Sequence, residues 1–180
     1  MKKINQELIA LFDKYGSDRR QALRENKKLS YLYALADLRE NLLDWCQFDP
    51  EQQALQIGAE AGALTGLLAR RLSSVTVLDA SEENLEVVRR RFQTEPELAA
   101  KIRYVCADVE TYAMKAEKRG GTYGYVMLIG GLTAADKAGR AAQMTAAKQL
   151  LSAHGTLIAA ASNWFGVKYM AGAEGRRAHF

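Results

Sequence analysis

The chain has 180 residues, 48% of them hydrophobic, which is enough for one domain with a real core and too few for two ordinary ones. Its formal charge is +4, with 25 basic residues interleaved among 21 acidic ones, a balance that does not require a nucleic-acid partner. Cys46, Cys106, His154 and His179 stand far apart, arguing against a disulfide framework or a tight zinc cluster, and no apolar run approaches the roughly 20 residues that span a bilayer.

No basic-then-apolar leader follows Met1, so the expected location is cytoplasmic. A first helix carries Ile4, Leu8, Leu11, Phe12 and Tyr15 on one stripe and ends at Gly16. Residues 14–28 hold six basic residues against Asp18 and Glu25, an excess that suits either a solvated helix face or an acidic partner. The spacing of Tyr31, Leu35, Leu38, Leu42 and Trp45 predicts a second helix, and Asp49-Pro50 predicts a turn after it.

Residues 54–66, ALQIGAEAGALTG, pass from a buried-strand pattern through a Gly-containing turn into a helix marked by Leu64, Leu67, Leu68 and Leu72. Residues 75–78 form a second strand ending at Asp79. Ser81 is placed to cap the following helix, with Glu82 and Glu83 at its positive end and Arg89, Arg90 and Arg91 at its negative end. Leu85, Val88 and Phe92 supply its buried stripe.

Residues 102–106 read as a third strand ending before Asp108, and residues 125–129 as a fourth, with an exposed connection over 115–121. An Ala-rich helix over about 134–153 is expected to stop at Gly155, making His154 a helix-end residue, and residues 156–161 read as a fifth strand. No internal repeat or low-complexity tract is present. Strands alternating with helices imply right-handed crossovers and a parallel sheet.

The stretch 54–66 resembles motif I of the class I S-adenosylmethionine-dependent methyltransferases, with Gln56 at the usual acid and Glu60 at the usual middle glycine. The resemblance implies an α/β, Rossmann-like doubly wound sheet in the order 3-2-1-4-5 with helices on both faces. The last two strands of the usual core have no counterpart after Ser162. Residues 39–45, RENLLDW, and residues 163–173, NWFGVKYMAGA, are similar to methyltransferase-like domains of bacterial polysaccharide or lipopolysaccharide-synthesis proteins. The expected organisation is a helical extension over 1–50, a cofactor-binding core over 51–162, and a C-terminal segment over 163–180 that suggests a fragment of a longer polypeptide with further domains.

The resemblance implies S-adenosylmethionine as cofactor, with Gln56, Gly58, Ala59, Glu60 and Gly62 near its methionine portion. Asp79 and Ala80 would meet the ribose, Asp108 and Val109 the adenine, and Ile129 and Gly130 the adenine or the reaction centre. Asp79 also stands about 20 residues beyond Gly58, where such folds place an acid on ribose hydroxyls; the plainer alternative is a turn or helix-capping Asp. Gly58 and Gly62 alternatively serve tight helix-to-strand packing, as Gly66 would one turn later.

A pyrophosphate at this helix start would meet the Glu60 carboxylate, which argues against NAD and FAD; the GxGxxG spacing of a dinucleotide-binding oxidoreductase is also missing. Glu60 instead suits a ligand carrying ammonium and sulfonium charges, where it would replace the charge missing at Gln56. The Asn or Asp followed by Pro-Pro and an aromatic, found in amino-directed nucleic-acid methyltransferases, is replaced by Leu128-Ile129-Gly130-Gly131-Leu132, and Gly124 stands where related sequences often carry an Asp. No catalytic acid-base pair, triad or metal set assembles, and no stacking platform supports RNA binding. Lys168 and Tyr169 are candidates for substrate contact or for packing over the sheet. The expected function is methyl transfer to a small-molecule or sugar-containing substrate; the other reading is a non-catalytic module with a degenerate cofactor site.

Overall fold

In a computed structural model, which describes residues 2–117, 122–130, 132 and 136–160, five strands form one parallel sheet. They are β1 (Gln53–Ile57), β2 (Ser74–Asp79), β3 (Ile102–Cys106), β4 (Tyr123–Ile129) and β5 (Leu151–Ala160), in the order β3-β2-β1-β4-β5. This is the Rossmann-like methyltransferase order expected from the sequence. The readings made on Gly131, residues 161–162, His179 and the segment 163–180, Lys168 and Tyr169 included, lie outside the described residues.

The central strands are largely apolar because both of their faces are covered, with Gln56 and Thr76 as buried polar exceptions. Alternate side chains serve opposite cores. Ala54, Val75, Val77 and Met127 pack with Leu64, Leu67, Leu68, Leu85, Val88 and Phe92 from α4 (Thr65–Arg71), α5 (Glu82–Phe92) and the turn before α4. Leu55, Ile57, Leu78, Val126 and Leu128 pack with Val109, Ala113, Ala146 and Ala147 from α7 (Val109–Glu117) and α8 (Lys137–Gln149). The short helix α6 (Pro96–Ala99) lies between α5 and β3.

Three N-terminal helices, α1 (Lys3–Tyr15), α2 (Arg19–Glu25) and α3 (Leu29–Leu35), form a further layer. Phe12, Tyr31 and Leu35 are buried there against Val87 of α5. The expected second helix does not continue: Ala36 is extended (φ −69°, ψ 136°), and a 3-10 helix, Asp37–Leu42, follows. Leu38, Leu42 and Trp45 are consequently 70%, 45% and 72% exposed rather than buried. The break turns the helical stripe away from the core: Leu43 is the residue of this stretch buried against the sheet, and the ion pairs of Asp37 with Arg19, Glu40 with Arg70, Asp44 with Arg71 and Arg39 with Glu60 flank it.

Other boundaries also move. Helix α8 ends at Gln149, and β5 begins at Leu151, so Gly155 and His154 lie within the strand rather than at a helix end. The ladder absorbs extra residues there: Tyr123 pairs with Leu151 but Tyr125 with Thr156. Half of the basic excess over 14–28 is internally paired, Lys14 with Glu25, Arg19 with Asp37 and Glu95, and Lys28 with Glu7. Among the described residues no helix is long and apolar enough to cross a membrane.

Candidate functional site

The strand order reverses beside β1, and ligands of such sheets bind in the crevice outside the carboxyl ends of the strands. A cleft of about 460 Å³ lies there, within the ordinary range for small-ligand sites. Gly58, Ala59 and Glu60 line it from the loop after β1, Asp79 and Ala80 from the end of β2, and Asp108, Val109 and Gly130 from the ends of β3 and β4.

The Asp79 carboxylate organises this end of the sheet. Oδ2 accepts from the Ala59 backbone N–H at 2.9 Å, and Oδ1 accepts from the Ser81 backbone N–H at 2.8 Å and Asn84 Nδ2 at 3.0 Å. It thereby ties the loop after β1 to the start of α5. Ser81 was expected to cap α5 through its hydroxyl, but makes no side-chain capping bond; Asp79 takes over the task from two residues upstream. A carboxylate has about four acceptor positions, so about one remains beyond these three bonds on a residue that lines the cleft.

Sequence reasoning missed the N-terminal contribution. Lys2, Asn5 and Asn84 all line the cleft, and Asn5 Nδ2 donates to Asn84 Oδ1 at 3.0 Å, extending the Asp79 network into α1. The pair lies 79 positions apart in sequence, so no local spacing signals it. Gln143 of α8 reaches the cleft from the opposite layer.

Asp108 sits before α7 and accepts from the Thr111 backbone N–H at 2.7 Å and the Thr111 hydroxyl at 2.9 Å. These bonds, the backbone one foremost, hold its carboxyl below the usual carboxylate range, so it is ionised at neutral pH. Val109 beside it is buried.

Gln56, Gly62 and Ile129 do not line the cleft. Gln56 is buried: its Oε1 accepts from the Thr65 hydroxyl at 2.8 Å and its Nε2 donates to the Gly58 carbonyl at 3.0 Å. An amide satisfies both partners, and a carboxylate would not. Gln56→Glu is therefore expected to destabilise the fold by about 2 kcal/mol, read as a lower denaturation midpoint, because a buried carboxylate would face the Gly58 carbonyl.

The loop itself is left-handed at three consecutive residues, Glu60 (φ 40°), Ala61 (φ 55°) and Gly62 (φ 72°). Two of the three are not glycine, and their strain is held by neighbours. The Glu60 carboxylate pairs with Arg39 and lies over Gly130, where a Cβ would have no room and φ is +72°. Arg91, in the last turn of α5 as expected, is only 3% exposed and donates from Nη1 to the Ala34 carbonyl at 2.7 Å and the Ala61 carbonyl at 3.0 Å. Burial, reinforced by nearby Arg19, pushes its guanidinium down to about 9, still charged at neutral pH. Among the described residues, no group of three or more His, Cys, Asp or Glu is arranged to hold a metal ion.

The "Methyltransferase domain" family model matches residues 54–155, more than half of the chain. A comparison with curated proteins returns no match. Among solved structures, the fold is similar to precorrin 8w decarboxylase from Methanobacterium thermoautotrophicum, at 18% identity and TM-score 0.57, covering 76% of this chain and 67% of that one. It is also similar to the N-methyltransferase NodS from Bradyrhizobium japonicum in complex with S-adenosyl-L-homocysteine, at 17% identity and TM-score 0.54, covering 82% of this chain and 69% of that one. An O-methyltransferase family protein from Burkholderia thailandensis matches at 16% identity and TM-score 0.59, covering 80% of this chain and 42% of that one. Identities this low establish the shared fold and leave the reaction to the site. By its matched residues, its strand order and the loop that follows β1, the chain belongs to the methyltransferase domain family.

Proposed function

We propose that the cleft binds S-adenosylmethionine and that the chain directs its methyl group to a small-molecule or sugar-containing acceptor. The observation that carries this reading is the position of Asp79, a carboxylate at the end of β2 that lines the cleft beside the loop after β1. Asp79 would accept from the ribose hydroxyls. Asp108 and Val109 would border the adenine, and residues 58–60 together with Gly130 the methionine portion. When bound, S-adenosylmethionine supplies a methyl group already activated on a sulfonium, so the chain's task is alignment and exclusion of water rather than acid-base chemistry.

The donor set fits this ligand better than a dinucleotide. Glu60 places a carboxylate at the loop where a pyrophosphate would lie, whereas a phosphate-free ligand avoids that repulsion. The cytoplasmic location, the association with polysaccharide synthesis and the division into a helical extension over 1–50, a core over 51–162 and a segment over 163–180 belong to the same proposal. A second reading, a non-catalytic module within a longer protein, draws on the internal satisfaction of Gln56 and the pairing of Glu60 with Arg39.

Calorimetric titration with S-adenosylmethionine, S-adenosylhomocysteine and NAD separates them. Micromolar binding of the first two with none of NAD is the expected result. Binding of none of the three would overturn the enzyme reading in favour of the module, and NAD binding would overturn the cofactor assignment.

A further inference from the structure

Arg91 is buried, yet among the described residues it hydrogen-bonds to no carboxylate. Among the described residues its hydrogen bonds go to two backbone carbonyls, Ala34 at the end of α3 and Ala61 in the loop, and its Nε has no partner. Its guanidinium lies 5.9 Å from the rings of both Phe12 and Phe92. An arginine placed for ion pairing would carry a carboxylate in its fork. Here the burial cost is set against two carbonyl bonds, two aromatic faces and the more distant charges of Asp37, Glu40 and Glu95, and one of the two carbonyls belongs to the left-handed loop at Glu60, Ala61 and Gly62.

Alanine in the left-handed region is strained, and released from its surroundings it returns to right-handed or extended backbone. A donor aimed at the Ala61 carbonyl opposes that return, because the peptide cannot rotate without breaking the 3.0 Å bond. Gly62 belongs to the same device: a Cβ there would come within 2.9 Å of Arg91 Cδ, so the glycine admits the arginine stem. The same Nη1 also donates to the Ala34 carbonyl, which ties the loop's partner to the N-terminal layer.

We propose that Arg91 is a positioning residue for the ligand site: it holds the loop in its left-handed form and makes the methionine end of the cleft depend on the N-terminal helices. The ligand assignment rests on the cofactor reading above. The clamp itself does not, and the two can be tested apart.

Arg91→Met keeps the apolar stem against Phe12 and Phe92 and removes both carbonyl bonds. Hydrogen exchange on the protein without ligand is expected to quicken about tenfold at the amides of residues 60–62, with those of β1 and β4 unchanged. S-Adenosylhomocysteine affinity is expected to fall about tenfold, while 5′-methylthioadenosine, which lacks the amino-acid end, changes less than about twofold. Adding Ala61→Gly to Arg91→Met should recover about fivefold in S-adenosylhomocysteine affinity, because glycine adopts the left-handed form without strain.

Where Arg91→Met lowers expression, Arg91→Lys serves. It keeps the charge and an ammonium with three donors, on a shorter stem without the planar fork, and should give smaller changes of the same pattern. Uniformly faster exchange, equal loss of both ligands, or no recovery with Ala61→Gly would overturn the clamp and leave Arg91 a packing residue. If the parent protein binds neither ligand, the cofactor reading fails, and the exchange comparison still decides the clamp.

Discussion

Asp79→Ala is expected to lower S-adenosylhomocysteine affinity about 10- to 100-fold and to cost about 2 kcal/mol of stability, roughly 4–8 °C in Tm for a chain of this length. The two losses have different origins. The stability loss comes from the Ala59 and Ser81 amides and Asn84 Nδ2, which all donate to this carboxylate and would be left to water in the cleft. The affinity loss adds the acceptor facing the ligand, and hydrogen bonds to charged groups are worth about 1.5–3 kcal/mol each.

Asn84→Ala provides the comparison. It removes one of the three donors and the contact with Asn5 while leaving the carboxylate in place. It should lower affinity by less than about fivefold at a similar loss of stability. Paired calorimetry and thermal unfolding on both variants make the distinction. Equal affinity loss in the two would mean that Asp79 acts only as the cap of α5, and the ribose assignment would be withdrawn.

Much of this was legible from residue types alone. The central strands announce themselves because parallel strands covered on both faces are mostly apolar and β-branched, as in residues 54–57, 75–78 and 125–129, and Asp79 stands out as the acid that ends one of them. What escaped was set by distance and direction. Helices α2 and α6 bury almost nothing of their own, and α7 shows only Val109 and Ala113 as buried residues, too sparse a stripe to register. The pattern from Tyr31 to Trp45 keeps helical spacing through a break at Ala36, and the second half is held by Leu43, which is off that stripe, together with ion pairs.

The most instructive case is Arg91. Three consecutive arginines at a helix end read as charges that suit its negative end, and Arg89 and Arg90 are paired at the surface with Glu86. Arg91, however, lies three residues after Val88 and four after Val87, both buried, so the helical phase alone puts it on the inner face. That signal was present in the sequence. Its two carbonyl partners were not, since they sit 57 and 30 positions away.

Gly62→Ala is expected to cost about 3 kcal/mol, roughly 6–12 °C in Tm. Two independent penalties add. At φ +72° an alanine pays about 1–2 kcal/mol for left-handed backbone. Its Cβ also meets Arg91 Cδ at 2.9 Å, Val88 Cγ1 at 3.1 Å and Phe92 Cε2 at 3.2 Å, all on buried side chains that cannot swing into solvent, and overpacking of this kind costs about 1–3 kcal/mol. Gly130→Ala shares the positive φ but not the second penalty, because its Cβ meets the far end of the Glu60 side chain, which can move into the cleft once its pairing with Arg39 is given up. It should therefore cost about 1–2 kcal/mol in stability while altering ligand affinity directly. Chemical denaturation of the two variants side by side checks the ordering: equal losses would mean that Arg91, Val88 and Phe92 yield to the extra methyl, and that the loop is not packed against α5 as tightly as its left-handed backbone requires.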